Sequence, residues 1–208
     1  MQNTAKALPR VLMAVDWCNS VEVSEMHQLL KKWAPLSPLD AMELLSPGFP
    51  DTLVRPTPVH CSICVTSHAD LCLCCMHGVV ASQVRAYAVQ RLELLTDAQL
   101  QTYLLQLCQV LKFEPFLDSA LARFLLRRAV RAPTTVGHVL FWLLKAEMHV
   151  REVRQRYGVL LEHYLRVCPP EHREALGHQM FVMTKLESIA MAVRALRCAR
   201  PWWWCVPV

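Results

Sequence analysis

His60, Cys61, Cys64, His68, Cys72, Cys74, Cys75 and His77 bring the chain's densest group of metal-ligating side chains into one short stretch. Cys61-x-x-Cys64 has the spacing of a zinc half-site, in which two thiolates close on a tetrahedral ion. A structural zinc centre needs a second half-site. Cys72-x-Cys74-Cys75 does not have the usual spacing for one, and the gap between the groups is short. The stretch therefore reads as an apolar, cysteine-rich loop, with a loose hairpin around Ile63-Cys64-Val65 as its most regular option. Other candidates are thinner. His138 with Glu147, or Glu147 with His149, has the chemistry of an acid–base or metal pair, but such residues are common on helix surfaces. Cys108 lies between Leu107 and Val110 with no paired base, so a buried inert thiol is expected rather than a nucleophile. Phe141 with Trp142, and the series Met180, Met183 and Met191, recur at helical spacing and are expected in a core rather than a ligand groove. No catalytic residue, cofactor-binding residue or metal ligand is assigned, and no cofactor is expected.

The elements that would position any such group are helices. Of 208 residues, 54% are apolar and five are glycine, and Leu, Ala, Met, Gln, Arg and Glu are abundant. That composition favours helix over tight-turned β structure. Val23, Met26, Leu30 and Trp33 share one face of a helix over Val21–Trp33, which Pro35 and Pro38 stop. A short helix follows over Asp40–Leu45. Thr96-Asp-Ala-Gln99 fits a capping box. Behind it Leu100, Tyr103, Leu104, Leu107, Val110 and Leu111 form one apolar stripe, ended by Pro115. Asp118 or Ser119 could cap the next helix, with Leu121, Phe124, Leu125 and Ala129 inward and Arg127, Arg128 and Arg131 at its dipole-favoured C-terminal end. Further helices are expected over 136–149, 150–167 and 170–196. Short joints make neighbours antiparallel, and helix pairs recur at roughly the 35–40-residue period of HEAT or armadillo arrays. The expected fold is all-α, an armadillo/HEAT-like right-handed solenoid of antiparallel helix pairs.

Charge and length exclude some classes. The net charge of +5 is spread without a block of like charges, so no nucleic-acid patch is visible. No stretch reaches the roughly 18 apolar residues of a membrane span, and Met1–Leu12 lacks the h-region of a secretory signal. The ten cysteines are then expected in a reducing, cytoplasmic setting, mostly as small buried hydrophobes.

Several motifs carry a resemblance. They are Leu8-Pro9-Arg-Val-Leu12-Met-Ala-Val15-Asp-Trp17, Val23-Ser-Glu-Met26, Ala41-Met-Glu43-Leu-Leu45, Phe49-Pro50-Asp51 and Val84-Arg85-Ala-Tyr-Ala88-Val89-Gln-Arg-Leu92. The runs Tyr103 to Asp118 and Gly137 to His149 extend it. Together they resemble the PIK helical (accessory) domain of class I phosphoinositide 3-kinases over residues 7–53 and 84–196, with about one extra residue around Pro133 to Thr135. The domain is assigned as 7–197. The resemblance implies a scaffold on which Ras-binding, C2 and kinase domains pack and which contacts a regulatory subunit, in an enzyme that phosphorylates the 3-OH of phosphoinositides. The acidic stretch that precedes the Leu-Pro motif in that family and meets a regulatory SH2 domain is not found ahead of Leu8.

Two segments depart from the family. At 54–83 the insert is either a functional insertion or translated intron. Val54-Arg55 can be encoded with a splice-donor consensus and Gln83 as CAG, and removing Val54 to Gln83 restores the family spacing. At 198–208, Trp202, Trp203 and Trp204 make an apolar tail, read as premature termination through intronic sequence or as an interfacial membrane anchor. Phosphoryl transfer needs a Gly-rich phosphate loop, an Asp-Phe-Gly metal site and a catalytic loop, and none is found in this chain, so it is expected not to be an enzyme itself. The rival expectation is an independent helical-repeat module that binds a protein partner on its concave face.

Overall fold

The computed structural model describes residues 5–16, 19–46, 73–114 and 116–198. Among the described residues all regular structure is helical. The α-helices are α1 (Leu8–Ala14), α2 (Ser20–Lys32), α3 (Pro38–Glu43), α4 (Leu73–Leu92), α5 (Asp97–Val110), α6 (Ala120–Arg131), α7 (His138–Glu147), α8 (Arg154–Val167) and α9 (Pro170–Cys198). The chain divides into two compact units, Met1–Arg166 and Val167–Val208.

Polar side chains set the helix starts. The Asn19 side chain accepts from the Val21 amide, Ser37 from Asp40 and Ser119 from Ala122. At Thr96 the full capping box forms: the Gln99 amide donates to Thr96 Oγ1 at 3.3 Å, and the Thr96 amide to Gln99 Oε1 at 3.0 Å. Each such cap contributes about 1 kcal/mol. Of the two cap candidates before α6, Ser119 takes the role, while Asp118 instead pairs with Arg123.

The expected stripes are buried. Val23, Met26 and Leu30 of α2, Leu100, Leu104 and Leu107 of α5, and Leu121, Phe124, Leu125 and Ala129 of α6 all face inward. In the first unit α3 packs on α4, α4 on α6, α5 on α7 and α6 on α7. Helices two apart thus meet as well as neighbours, which is what stacked hairpins require.

Two differences from the sequence reading have physical causes. Between α6 and α7 the backbone takes one wide π-helical turn, Pro133–Gly137, in which the Gly137 amide donates to the Ala132 carbonyl at 3.0 Å. A π turn arises when one residue is added to an α-helix, and it lies where the motif runs one residue long. At the cysteine-rich insert, α4 starts at Leu73, so residues 73–83 share one continuous helix with 84–92. Cys74, Cys75 and His77 fall on that helix. His60, Cys61, Cys64, His68 and Cys72, and the tryptophan tail, lie outside the described residues.

In the second unit α9 runs for 29 residues. From Phe181 to Leu196 its large apolar side chains are exposed, Met183 at 53% and Met191 at 60%, and Met180 is half-buried. Among the described residues of this unit nothing covers the methionine series, whose spacing suggested core packing. A helix face goes into a core only when another element covers it.

Candidate functional site

Buried charges mark where a helical protein places its polar chemistry, because such groups persist only when paired. Among the described residues three are buried: Arg85, Glu114 and Arg128. Arg85 on α4 donates through Nε to Glu114 Oε1 at 3.2 Å and through Nη2 to the Leu45 carbonyl at 3.3 Å. It thereby joins α4 to the end of α3 and to the segment after α5. Arg128 on α6 reaches Asp97 Oδ1 at 2.5 Å and the Leu95 carbonyl at 2.8 Å, tying α6 to the start of α5. A third arginine, the half-buried Arg156 of α8, donates to the carbonyls of Glu114 at 2.7 Å and Phe116 at 2.6 Å. The Tyr157 hydroxyl donates to the Cys108 carbonyl at 2.7 Å, linking α8 to α5. All of these side chains reach from one helix to the backbone or carboxylate of another helix or of the segment beside it.

Sequence reasoning missed these clamps, although a signal was present. Arg85 occupies the apolar stripe Arg85, Ala88, Val89, Leu92 at steps of three, four and seven. Arg128 does the same with Leu121, Phe124 and Leu125. An arginine on a buried stripe must have a partner across the interface. Arg128 therefore acts as a clamp, and its favourable place in the helix dipole is secondary.

Among the described residues, those singled out from the sequence do not converge on a site. His138 accepts from the Trp142 indole at 3.3 Å, and Phe141 packs edge-on against Trp142 with ring centroids 5.2 Å apart. Phe141 is buried, as expected of a core residue. Glu147 bonds to Lys112 Nζ at 2.9 Å and Gln109 Nε2 at 2.5 Å. His149 Nδ1 lies 2.6 Å from the Ala146 carbonyl.

The hydrogen bond from Lys112, then that from Gln109, holds the Glu147 carboxyl below the usual carboxylate range. A depressed folded pKa stabilises the fold above the unfolded value of about 4.3. That contribution is lost as pH falls through the folded value. Thermal melts between pH 6 and pH 3 are expected to show an acid limb that is shallower in Glu147→Gln than in the parent chain.

Burial, and then the Glu147 charge, push the Cys108 thiol up to about 12. With so little thiolate it should resist alkylation while the protein is folded. Iodoacetamide labelling followed by peptide mass spectrometry should leave Cys108 unmodified in buffer and modified in denaturant. Labelling at equal rates in both would contradict this.

A concavity of about 620 Å³ opens between α2 and α4, lined by His27, Leu30, Trp33, Tyr87, Gln90 and Arg91 among others. His27 Nε2, Trp33 Nε1 and the Tyr87 hydroxyl are buried without a partner. Burial, then Lys31, lowers the His27 pKa. The lining, which also includes Lys31, has no carboxylate, serine or cysteine. Among the described residues no cluster of His, Cys, Asp and Glu could hold a metal ion. No helix there is long and apolar enough to cross a membrane.

Comparison with known proteins agrees with the helical reading. The family described as "Phosphoinositide 3-kinase family, accessory domain (PIK domain)" matches residues 1–73 and 69–177. Phosphatidylinositol 3-kinase 2 of Dictyostelium discoideum is 35% identical over 189 residues, which are 91% of this chain and 8% of the relative. Phosphatidylinositol 3-kinase 1 of the same organism is 36% identical over 192 residues, 92% of this chain and 10% of the relative. The corresponding values for phosphatidylinositol 3-kinase 3 are 33%, 91% and 9%. The chain spans no more than 10% of the length of these curated relatives.

Proposed function

The chain belongs to the accessory (PIK) domains of the phosphoinositide 3-kinase family, and from that premise we propose that it is a structural scaffold with no transfer chemistry of its own. The parent enzyme would be a cytoplasmic lipid kinase that phosphorylates the 3-OH of phosphoinositides. Its kinase, C2 and Ras-binding domains would pack on this array, and a regulatory subunit would contact it. Peripheral recruitment to a membrane would come through that complex. The right-handed armadillo arrangement belongs to the same reading.

The observation that carries the proposal is the destination of the buried charges. Arg85, Glu114 and Arg128 all hold one helix to another. A phosphoryl-transfer site would instead direct cations and carboxylates at a nucleotide and its metal. Residues 54–83 are proposed as foreign to the domain, as retained intron. The family match comes in two pieces, residues 1–73 and 69–177, which meet within this segment.

The purified chain should neither bind a fluorescent ATP analogue nor transfer labelled phosphate to phosphatidylinositol vesicles with Mg²⁺. Turnover above a heat-denatured control would overturn the scaffold reading. The genomic sequence tests the insert: codons other than GTG-AG at Val54-Arg55 and CAG at Gln83 would remove the intron explanation.

A further inference from the structure

Glu114, in the segment between α5 and α6, is held from two sides. Arg85 of α4 donates through Nε to its Oε1 at 3.2 Å, and Arg156 of α8 donates through Nη2 to its backbone carbonyl at 2.7 Å. Arg85 reaches on through Nη2 to the Leu45 carbonyl, in the turn that follows α3. The Arg156 fork also takes the Phe116 carbonyl at 2.6 Å. The carboxylate is felt at Arg156 as well: burial lowers the Arg156 pKa, and the Glu114 charge works against that. Glu114 precedes Pro115 in the sequence, and its backbone is extended, with φ −65° and ψ 134°. A residue before proline is confined to that region. Its side chain, 4% exposed, has little room to adjust separately. The carbonyl and the carboxylate of Glu114 are therefore held in a fixed relation.

We propose that Glu114 is a conformational relay: the grip of Arg156 on this segment sets the position of the Glu114 carboxylate and, through Arg85, the order of the turn after α3. Three polar contacts in series carry it, from Arg156 to Glu114, from Glu114 to Arg85 and from Arg85 to Leu45. Apolar packing lets one helix slide a little over another. A hydrogen bond does not, because it weakens steeply as its angle falls. In a buried network the partner left behind is also costly, so a displaced group is followed by its neighbour. A shift of the Glu114 carbonyl is therefore passed on rather than absorbed. A load on α8, or on the exposed Phe116 that shares the Arg156 fork, is felt at the turn after α3. The inference rests on contacts within the first unit and is independent of the scaffold reading.

Hydrogen–deuterium exchange of the full chain, followed by mass spectrometry, tests it. The amides of Leu44, Leu45 and Ser46 donate to the carbonyls of Ala41, Met42 and Glu43 and are the readout. Arg156→Met should speed their exchange roughly tenfold, the scale expected for residues that share a partner, and should leave α2 at the parent rate. Tyr157→Phe is the control, since the Tyr157 hydroxyl ties α8 to the Cys108 carbonyl instead. It should leave the three amides at the parent rate. In the background of Arg85→Met with Glu114→Leu the relay is cut, and adding Arg156→Met should bring no further acceleration at this turn. Should Arg156→Met fail to fold, Arg156→Lys replaces it, keeping the charge and losing the fork that spans two carbonyls. Unchanged exchange at these amides in the Arg156 variant overturns the proposal. So does equal acceleration across α2 or in Tyr157→Phe, which marks general loosening, or an acceleration that persists in the double-variant background.

Discussion

Arg85→Ala should destabilise the chain by about 3–5 kcal/mol, the cost of leaving one half of a buried ion pair alone. Both side chains of the pair are only 4% exposed. Removing the guanidinium strands the Glu114 carboxylate away from water and also deprives the Leu45 carbonyl of its donor. For a chain of this size the loss corresponds to a fall in melting temperature of roughly 10 °C. The pair itself need not be strongly favourable, since an apolar pair of similar volume often serves as well. Arg85→Met combined with Glu114→Leu should therefore recover most of the loss. Full recovery is not expected, because the Leu45 carbonyl keeps no partner and an unmet buried acceptor costs about 1–3 kcal/mol. Chemical denaturation of the two single variants and the double variant gives the cycle. If Arg85→Ala costs no more than an exposed substitution, the clamp is not a clamp.

Gly137→Ala should be the second large effect, and its sign is informative. Alanine normally stabilises a helix relative to glycine by about 0.5–1 kcal/mol. At Gly158 the added Cβ would meet only Met148 Cε at 3.8 Å, and at Gly177 nothing within 4 Å. Both substitutions should raise stability. At Gly137 the same methyl would fall 2.1 Å from the Tyr164 hydroxyl and 2.7 Å from the Ala129 carbonyl oxygen. Tyr164 is fully buried and the Ala129 oxygen is backbone, so neither moves easily. Overpacking of this kind costs about 1–3 kcal/mol and sometimes more; about 3 kcal/mol is expected here. Adding Tyr164→Phe removes the nearest clash and should restore part of the stability, leaving the Ala129 oxygen at 2.7 Å and the ring Cζ at 3.0 Å. Melting curves of the three glycine variants decide it: stabilisation at all three positions would mean that α6, α7 and α8 are not as close as described.

The two predictions mark the boundary of what the sequence made legible. Helix starts were readable because caps are local: Thr96 and Gln99 need only each other. Stripes such as Leu121, Phe124, Leu125 and Ala129 were readable because burial follows the helical period. The clamps were not, because the partners of Arg85 and Arg128 lie 29 to 40 residues away in sequence and their pairing is a tertiary fact. Only the family resemblance marked Gly137, which needs two other helices in place before its missing side chain matters. The exposure of α9 was invisible for the opposite reason. Periodicity reports that a face is apolar, and it cannot report whether anything lies against it.

The wide turn at Pro133–Gly137 has a consequence for how such a chain can change over time. In an ordinary helix one added residue rotates everything downstream by roughly 100°, and α7 would then present the wrong side chains to α5. Here the surplus residue is taken up within a single turn, and Leu140, Phe141 and Leu144 remain buried. The turn works like an expansion joint: single-residue insertions and deletions can be absorbed at this point without dephasing the helices that follow. Length variation among related chains should therefore be tolerated here and resisted within α6 and α7 themselves.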